Sequence, residues 1–151
     1  MRARREHRLT LSIQYARRSA RLPSQSQLRR WASAALAQDA KVTLRIVGQT
    51  EGRRLNRDYR GKDYATNVLT FAYPEQRPLA GDIVLCAPVV REEAHTRGLS
   101  LTAHYAHLVV HGMLHLQGYD HKRSAAAQRM ESLESEIVTQ LGYPDPYAVE
   151  V

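Results

Sequence analysis

Cysteine occurs once in the 151 residues, tryptophan and phenylalanine once each, and lysine only three times. Each scarcity excludes something. A lone cysteine, Cys86, rules out an intrachain disulfide and fits a reducing compartment; within the apolar run "GDIVLC" it reads as a buried, inert thiol. No apolar stretch approaches the roughly 20 residues needed to cross a bilayer, so no membrane partner is expected. The basic start "MRARREHR" is not followed by the roughly 7–15-residue apolar segment of a secretory signal, which leaves the cytoplasm as the expected location. Repeats, low-complexity tracts and long linkers are missing too. The chain therefore reads as one domain spanning 1–151, large enough to build a core without staples. A hydrophobic fraction of 43% with 25% charged residues is that of an ordinary globular protein.

Acidic charge is scarce in the first half. Residues 1–62 carry 16 Lys/Arg against 4 Asp/Glu, a net of +12, whereas residues 63–151 carry 6 against 11, a net of −5. That asymmetry points to a polyanionic partner met by the first half. Arg17, Arg18, Arg21, Arg29, Arg30, Arg53, Arg54 and Arg57 are the candidates for an electrostatic track along a nucleic-acid backbone. A solvated basic face is the plainer reading of the same residues.

Hydrophobic periodicity supplies the elements. "RLTLSIQY" (8–15) alternates as a strand with one buried face, and "KVTLRIV" (41–47) alternates likewise. "PSQSQLRRWASAALAQ" (23–38) sets Leu28, Trp31, Ala32, Ala35 and Leu36 on one helical stripe behind a serine cap. A short helix is expected around 50–58, then strands at 67–71 and 82–86 joined by a loop through "TFAYPEQRPLAG". Three helices follow, 88–97, 101–117 and 124–141, stopped by Gly98, Gly118 and Gly142, with Ser100 and Ser124 as N-caps of the last two. The order implies an α+β domain with a small mixed sheet.

Three of the seven histidines fall in "HGMLHLQGYDH" (111–121). His111 and His115 are four apart on a helix, so both side chains leave from one face. Two such imidazoles can hold one zinc ion at about 2.0–2.1 Å each. Gly118 lets the chain reverse, and His121 can return towards the pair. Three nitrogen ligands with one position open to water is the pattern of a catalytic rather than a structural zinc site. A zinc ion so held lowers the pKa of its water from 15.7 to about 7 or polarises a phosphoryl oxygen.

One residue type is conspicuously missing. The spacing equals that of metzincin proteases, H-E-x-x-H-x-x-G-x-x-H, whose glutamate is the general base, yet Gly112 stands in its place. The scaffold for a metal is present and the protease base is not.

The whole segment closely resembles the signature H-G-x-L-H-L-x-G-Y-D-H of the YbeY-type rRNA-maturation endoribonucleases, matching at all nine defined positions. "LNRDYRGKDYATNVLTF" (55–71) is similar to that family's N-x-x-Y-R-x-K-D-x-x-T-D-V-L-S-F block, "GDIVLC" to its G-D-I-x-I-S strand, and "MESLESEIV" (130–138) to its closing helix. Asn67 stands where the pattern has aspartate, and Cys86 where it has serine. The resemblance implies a single zincin-like α+β domain. It implies a zinc-dependent endoribonuclease acting on single-stranded RNA, in rRNA maturation (the 16S 3′ end) and ribosome quality control on ribosomal particles. Carried over by position, the metal ligands are His111, His115 and His121, and the functional arginine is Arg60.

From these residues a mechanism can be sketched. The guanidinium of Arg60 suits two oxygens of a phosphodiester, with Lys62 as a further phosphate contact. Asp120 is expected to orient a histidine or to cap the turn after Gly118. His107 is a candidate for hydrogen bonding behind the ligands, whereas His104 is expected at the surface. Tyr59, Tyr64 and Tyr73 are candidates to stack bases. The nucleophile stays open between metal-bound hydroxide and the RNA 2′-hydroxyl. Two other readings stay open beside the nuclease, a non-catalytic ribosome-assembly factor with a structural metal and a metalloprotease.

Overall fold

The computed structural model describes residues 6–16, 21–120 and 122–148. Nine elements succeed one another: β1 (Leu9–Tyr15), α1 (Gln25–Ala34), β2 (Ala40–Val47), α2 (Gln49–Arg60), β3 (Val68–Tyr73), β4 (Leu79–Cys86), α3 (Ala87–Thr96), α4 (Leu101–Leu116) and α5 (Ser124–Gln140). The four strands form one mixed sheet in the order β1-β2-β4-β3. β1, β2 and β4 run parallel, and β3 returns antiparallel along β4, pairing Val68 with Leu85 and Tyr73 with Ala80. β3 is thus an edge strand.

Strand alternation divides the core between the two faces of this sheet. Ile83 and Leu85 point to one side, where they join Leu44, Ile46, Leu28, Trp31, Val109 and Met113 in the larger cluster. α1 and α4 cover this face, and α5 packs against α4. Val84 and Cys86 point to the other side and meet Val47, Leu69, Leu55 and Phe71 under α2. Cys86 is buried, as its surroundings in the sequence imply. Close contact is purchased by small residues: a Cβ on Gly52 would lie 2.8 Å from the Cys86 sulfur, and one on Gly81 2.6 Å from a Leu116 methyl.

Local signals explain most boundaries. Ser24 caps α1 with a full capping box, its hydroxyl taking the Gln27 N–H while the Gln27 side chain takes the Ser24 N–H. Ser100 caps α4 through Ala103. Two expectations need correction. Half of the stretch expected as a loop after Phe71 is strand, since β3 continues to Tyr73 and β4 begins at Leu79; ladder pairing with neighbouring strands outweighs its turn-like composition there. Ser124 is the first residue of α5 and not its cap; Arg123 holds the cap position and makes no side-chain cap bond.

Candidate metal and RNA site

α4 carries the histidines because its other sides are committed to packing. Val109, Val110, Met113 and Leu114 are fully or almost fully buried. Gly112 lies directly on β4, where a Cβ would stand 3.1 Å from the nearest Ile83 carbon. The position that holds a catalytic glutamate in metzincins therefore faces the sheet, and no side chain of that size fits. What remains is a stripe of His104, His107, His111 and His115 along one flank.

The rings of His111 and His115 are almost parallel, 6° apart, with centroids separated by 6.4 Å. Behind His111 sits Glu134 of α5, 1% exposed. Its Oε1 is 2.8 Å from His111 Nδ1 and 3.1 Å from His107 Nε2, and its Oε2 accepts the Tyr147 hydroxyl at 2.8 Å. A carboxylate can only accept, so both histidine nitrogens are the protonated ones. His111 is thereby held as the Nδ1–H tautomer and its Nε2 keeps a lone pair, which is the state a metal ligand needs. Burial by itself would raise the Glu134 carboxyl; the hydrogen bonds from His107 and His111 overcome that and hold it down at about 2. Glu134 is an anion at neutral pH.

A second histidine–carboxylate pair, with a buried histidine and a partly exposed carboxylate, stabilises the upstream end of the stripe. His104 Nε2 is 2.9 Å from Glu93 Oε1, and Asn67 donates its amide to the same carboxylate at 3.0 and 3.3 Å. Asn67 also accepts the Val68 N–H through Oδ1. An aspartate at 67 would set a like charge against Glu93, so the departure from the family pattern suits this partner. His104 is 2% exposed, contrary to its expected surface position, because α3 folds back over this end of α4. Burial lowers its pKa despite the nearby Glu93 charge, so it is neutral.

Of the residues assigned from sequence, the structure brings His111 and His115 together; His121 lies outside the described residues. Among the described residues no group of three His, Cys, Asp or Glu is arranged to hold a metal. Asp120 takes the turn role, its Oδ1 accepting the Lys122 N–H at 2.9 Å. His107 does hydrogen-bond behind His111, to the same Glu134 oxygen. Glu134, Glu93 and Tyr147 were missed. Glu134 had a legible signal: it lies four residues after Met130 and three and four before Ile137 and Val138, on the buried stripe of α5. A charged residue on an apolar helix face announces a buried partner.

Arg60 ends α2, exposed, with Gly61 behind it in the left-handed conformation at φ 70°. The loop after it is pinned twice, by the Asn56 amide on the Tyr64 carbonyl at 2.7 Å and by a bidentate Arg53–Asp63 pair at 2.8 and 3.0 Å. No hydrogen bond, ion pair or ring contact among the described residues joins Arg60 to His111 or His115. Tyr59 packs edge-on against Phe71 of β3 at 5.2 Å, while α4 packs against the opposite face of that same edge strand.

The basic residues do not form one surface. Arg29 and Arg30 ride on α1 on one side of the sheet, and Arg53, Arg54 and Arg57 on α2 on the other; Arg17 and Arg18 lie outside the described residues. Arg53 is committed to Asp63 and Arg57 to Asp58. Beside α2 the uncovered half of the sheet forms a cavity of about 530 Å³ lined by Tyr59, Phe71, Tyr73, Arg45 and Asp82. Tyr59 is 70% and Tyr73 42% exposed; the Tyr73 hydroxyl bonds Asp82. No helix among the described residues is long and apolar enough to cross a membrane.

A family model described as endoribonuclease YbeY matches residues 11–142. The chain is 60% identical over 144 residues to a protein of Aromatoleum aromaticum, with 93% of this chain and 94% of that one covered. It is 58% identical over 143 residues to one of Methylobacillus flagellatus, covering 95% and 96%, and 57% identical over 145 residues to one of Nitrosomonas europaea, covering 96% and 88%. All three carry the name endoribonuclease YbeY. A solution structure of a Thermotoga maritima protein superposes with a TM-score of 0.58 at 24% identity, covering 93% of this chain and all of that one. That likeness speaks for the fold alone.

Proposed function

The chain belongs to the YbeY endoribonuclease family, and we propose that it cuts single-stranded RNA with a zinc ion held by His111, His115 and His121. Membership makes it an endoribonuclease, a hydrolase of RNA with a role in rRNA processing. Metal dependence belongs to the family at large; zinc is the choice that three imidazoles favour among the divalent ions available. The substrates we infer are rRNA and ribosomal particles in the cytoplasm, with the 16S 3′ end as the processing site.

One observation carries the metal reading. His111 gives its Nδ1–H to a buried carboxylate and so presents Nε2 beside the parallel ring of His115. A histidine kept merely for packing has no need of a charged group buried behind it at a cost of several kcal/mol. Bound there, the ion would supply Lewis acidity towards a phosphoryl oxygen. The chain's own residues do the rest. Glu134 fixes the tautomer and the plane of His111. Arg60 offers a planar guanidinium to two phosphate oxygens, and Lys62 adds a point charge. The exposed rings of Tyr59 and Tyr73 suit base stacking, which tolerates any sequence.

The test measures metal content and cleavage of a defined single-stranded RNA on the same preparations of wild type, His115→Ala and Arg60→Ala. We expect His115→Ala to lose both metal and cleavage. Arg60→Ala should keep the metal and lose cleavage at least tenfold, since a charge-assisted contact to phosphate is worth roughly 1.5–3 kcal/mol. Cleavage unchanged in both variants would refute the site; wild type with metal but no cleavage would favour the assembly-factor reading.

A further inference from the structure

The geometry points to Tyr147 as a positioning residue of the metal centre, acting on His111 through Glu134. This rests on the metal reading above. Glu134 Oε1 takes two histidine donors, yet two bonds to one oxygen do not fix a carboxylate plane. The last torsion of a glutamate is broad and roughly two-fold, so rotamer preference does not fix it either. The bond from the Tyr147 hydroxyl to Oε2, 2.8 Å long, supplies the missing constraint. It holds the second oxygen, and with it the direction from which Oε1 meets His111 Nδ1.

Tyr147 reaches that oxygen because the chain after α5 is built into a hook. Asp145 Oδ1 accepts the Tyr147 N–H at 2.9 Å and the Ser135 hydroxyl at 2.7 Å. Ser135 follows Glu134 directly, so the hook is tied to the helix that bears the carboxylate. The tyrosine ring then packs edge-on against His107, centroids 5.4 Å apart. Phenylalanine would keep that ring contact, on a residue that is 39% exposed. The hydroxyl's one bond among the described residues goes to Glu134, and burial beside that carboxylate pushes its pKa upward, so it remains a donor at every working pH.

The experiment titrates zinc against a competing chelator for wild type, Tyr147→Phe, Asp145→Ala and His111→Ala, and records the His111 ring nitrogens by ¹⁵N NMR in the metal-free proteins. Tyr147→Phe should bind zinc about tenfold more weakly, the lower end for loss of a group behind a ligand, and should show a smaller Nδ1–H population at His111. Asp145→Ala should weaken binding in the same direction with Tyr147 intact. A purely structural tyrosine would lower the melting temperature and leave both readouts alone; wild-type zinc affinity and tautomer in Tyr147→Phe, with His111→Ala deficient, would overturn the inference and spare the metal reading. Wild type binding zinc no better than His111→Ala would overturn both.

Discussion

Replacing Gly112 tests why this chain has no glutamate beside its first histidine. In Gly112→Ala the new methyl would stand 3.1, 3.2 and 3.4 Å from three carbons of Ile83. Ile83 is fully buried and is held in register between Leu44 and Thr70, so its side chain, and not its backbone, must yield. Overpacking of this kind costs about 1–3 kcal/mol. Removing a helical glycine returns about 1 kcal/mol, leaving a net loss of about 0–2 kcal/mol. For a chain of this length that is a fall in Tm of up to roughly 8 °C. Gly112→Glu adds a carboxylate with no room and no partner, at several kcal/mol, out of a total stability of about 5–15 kcal/mol. The assay is thermal unfolding by circular dichroism with chelator present, so that metal binding does not contribute. Ile83→Ala removes all three clashing carbons, and the double variant Gly112→Ala/Ile83→Ala should be more stable than the two single losses predict, by about 1 kcal/mol. Gly112→Glu with wild-type stability would show that the position faces an open cleft, and the packing argument would fall.

Two other outcomes follow from the same geometry. Glu134→Gln keeps the size of the side chain and removes its charge; zinc affinity should drop about 10–100-fold, and an unchanged affinity in a chelator competition would remove Glu134 from the centre. Glu51 is held below the usual carboxylate range first by its hydrogen bond from Arg45, then by the charges of Arg45 and Arg54, against the opposing effect of burial. A depressed folded pKa contributes stability above the unfolded value and loses it as pH falls through the folded one. Between about pH 5 and pH 2 the wild type should therefore lose more stability than Glu51→Gln, by no more than about 1 kcal/mol because the pair is partly exposed. Parallel acid limbs in the two unfolding series would refute this.

The sequence by itself determined most of the elements and named His111, His115 and His121 as the candidate donors. Alternation marks β1 and β2, a serine and a glycine bracket α4, and the offset of His111 and His115 places both on one helix flank. These are local features, set by residues within a few positions of one another. Tertiary structure alone decided what stands behind the donors. Glu134 meets His111 across 23 residues, Glu93 meets His104 across 11, and Tyr147 meets Glu134 by way of a hook after the last helix. Such contacts depend on how α3, α4 and α5 pack, and packing is a property of volumes and angles that no short window of sequence contains. The same holds for the basic residues. Their excess was plain in the composition, but only the sheet between α1 and α2 separates them onto two faces.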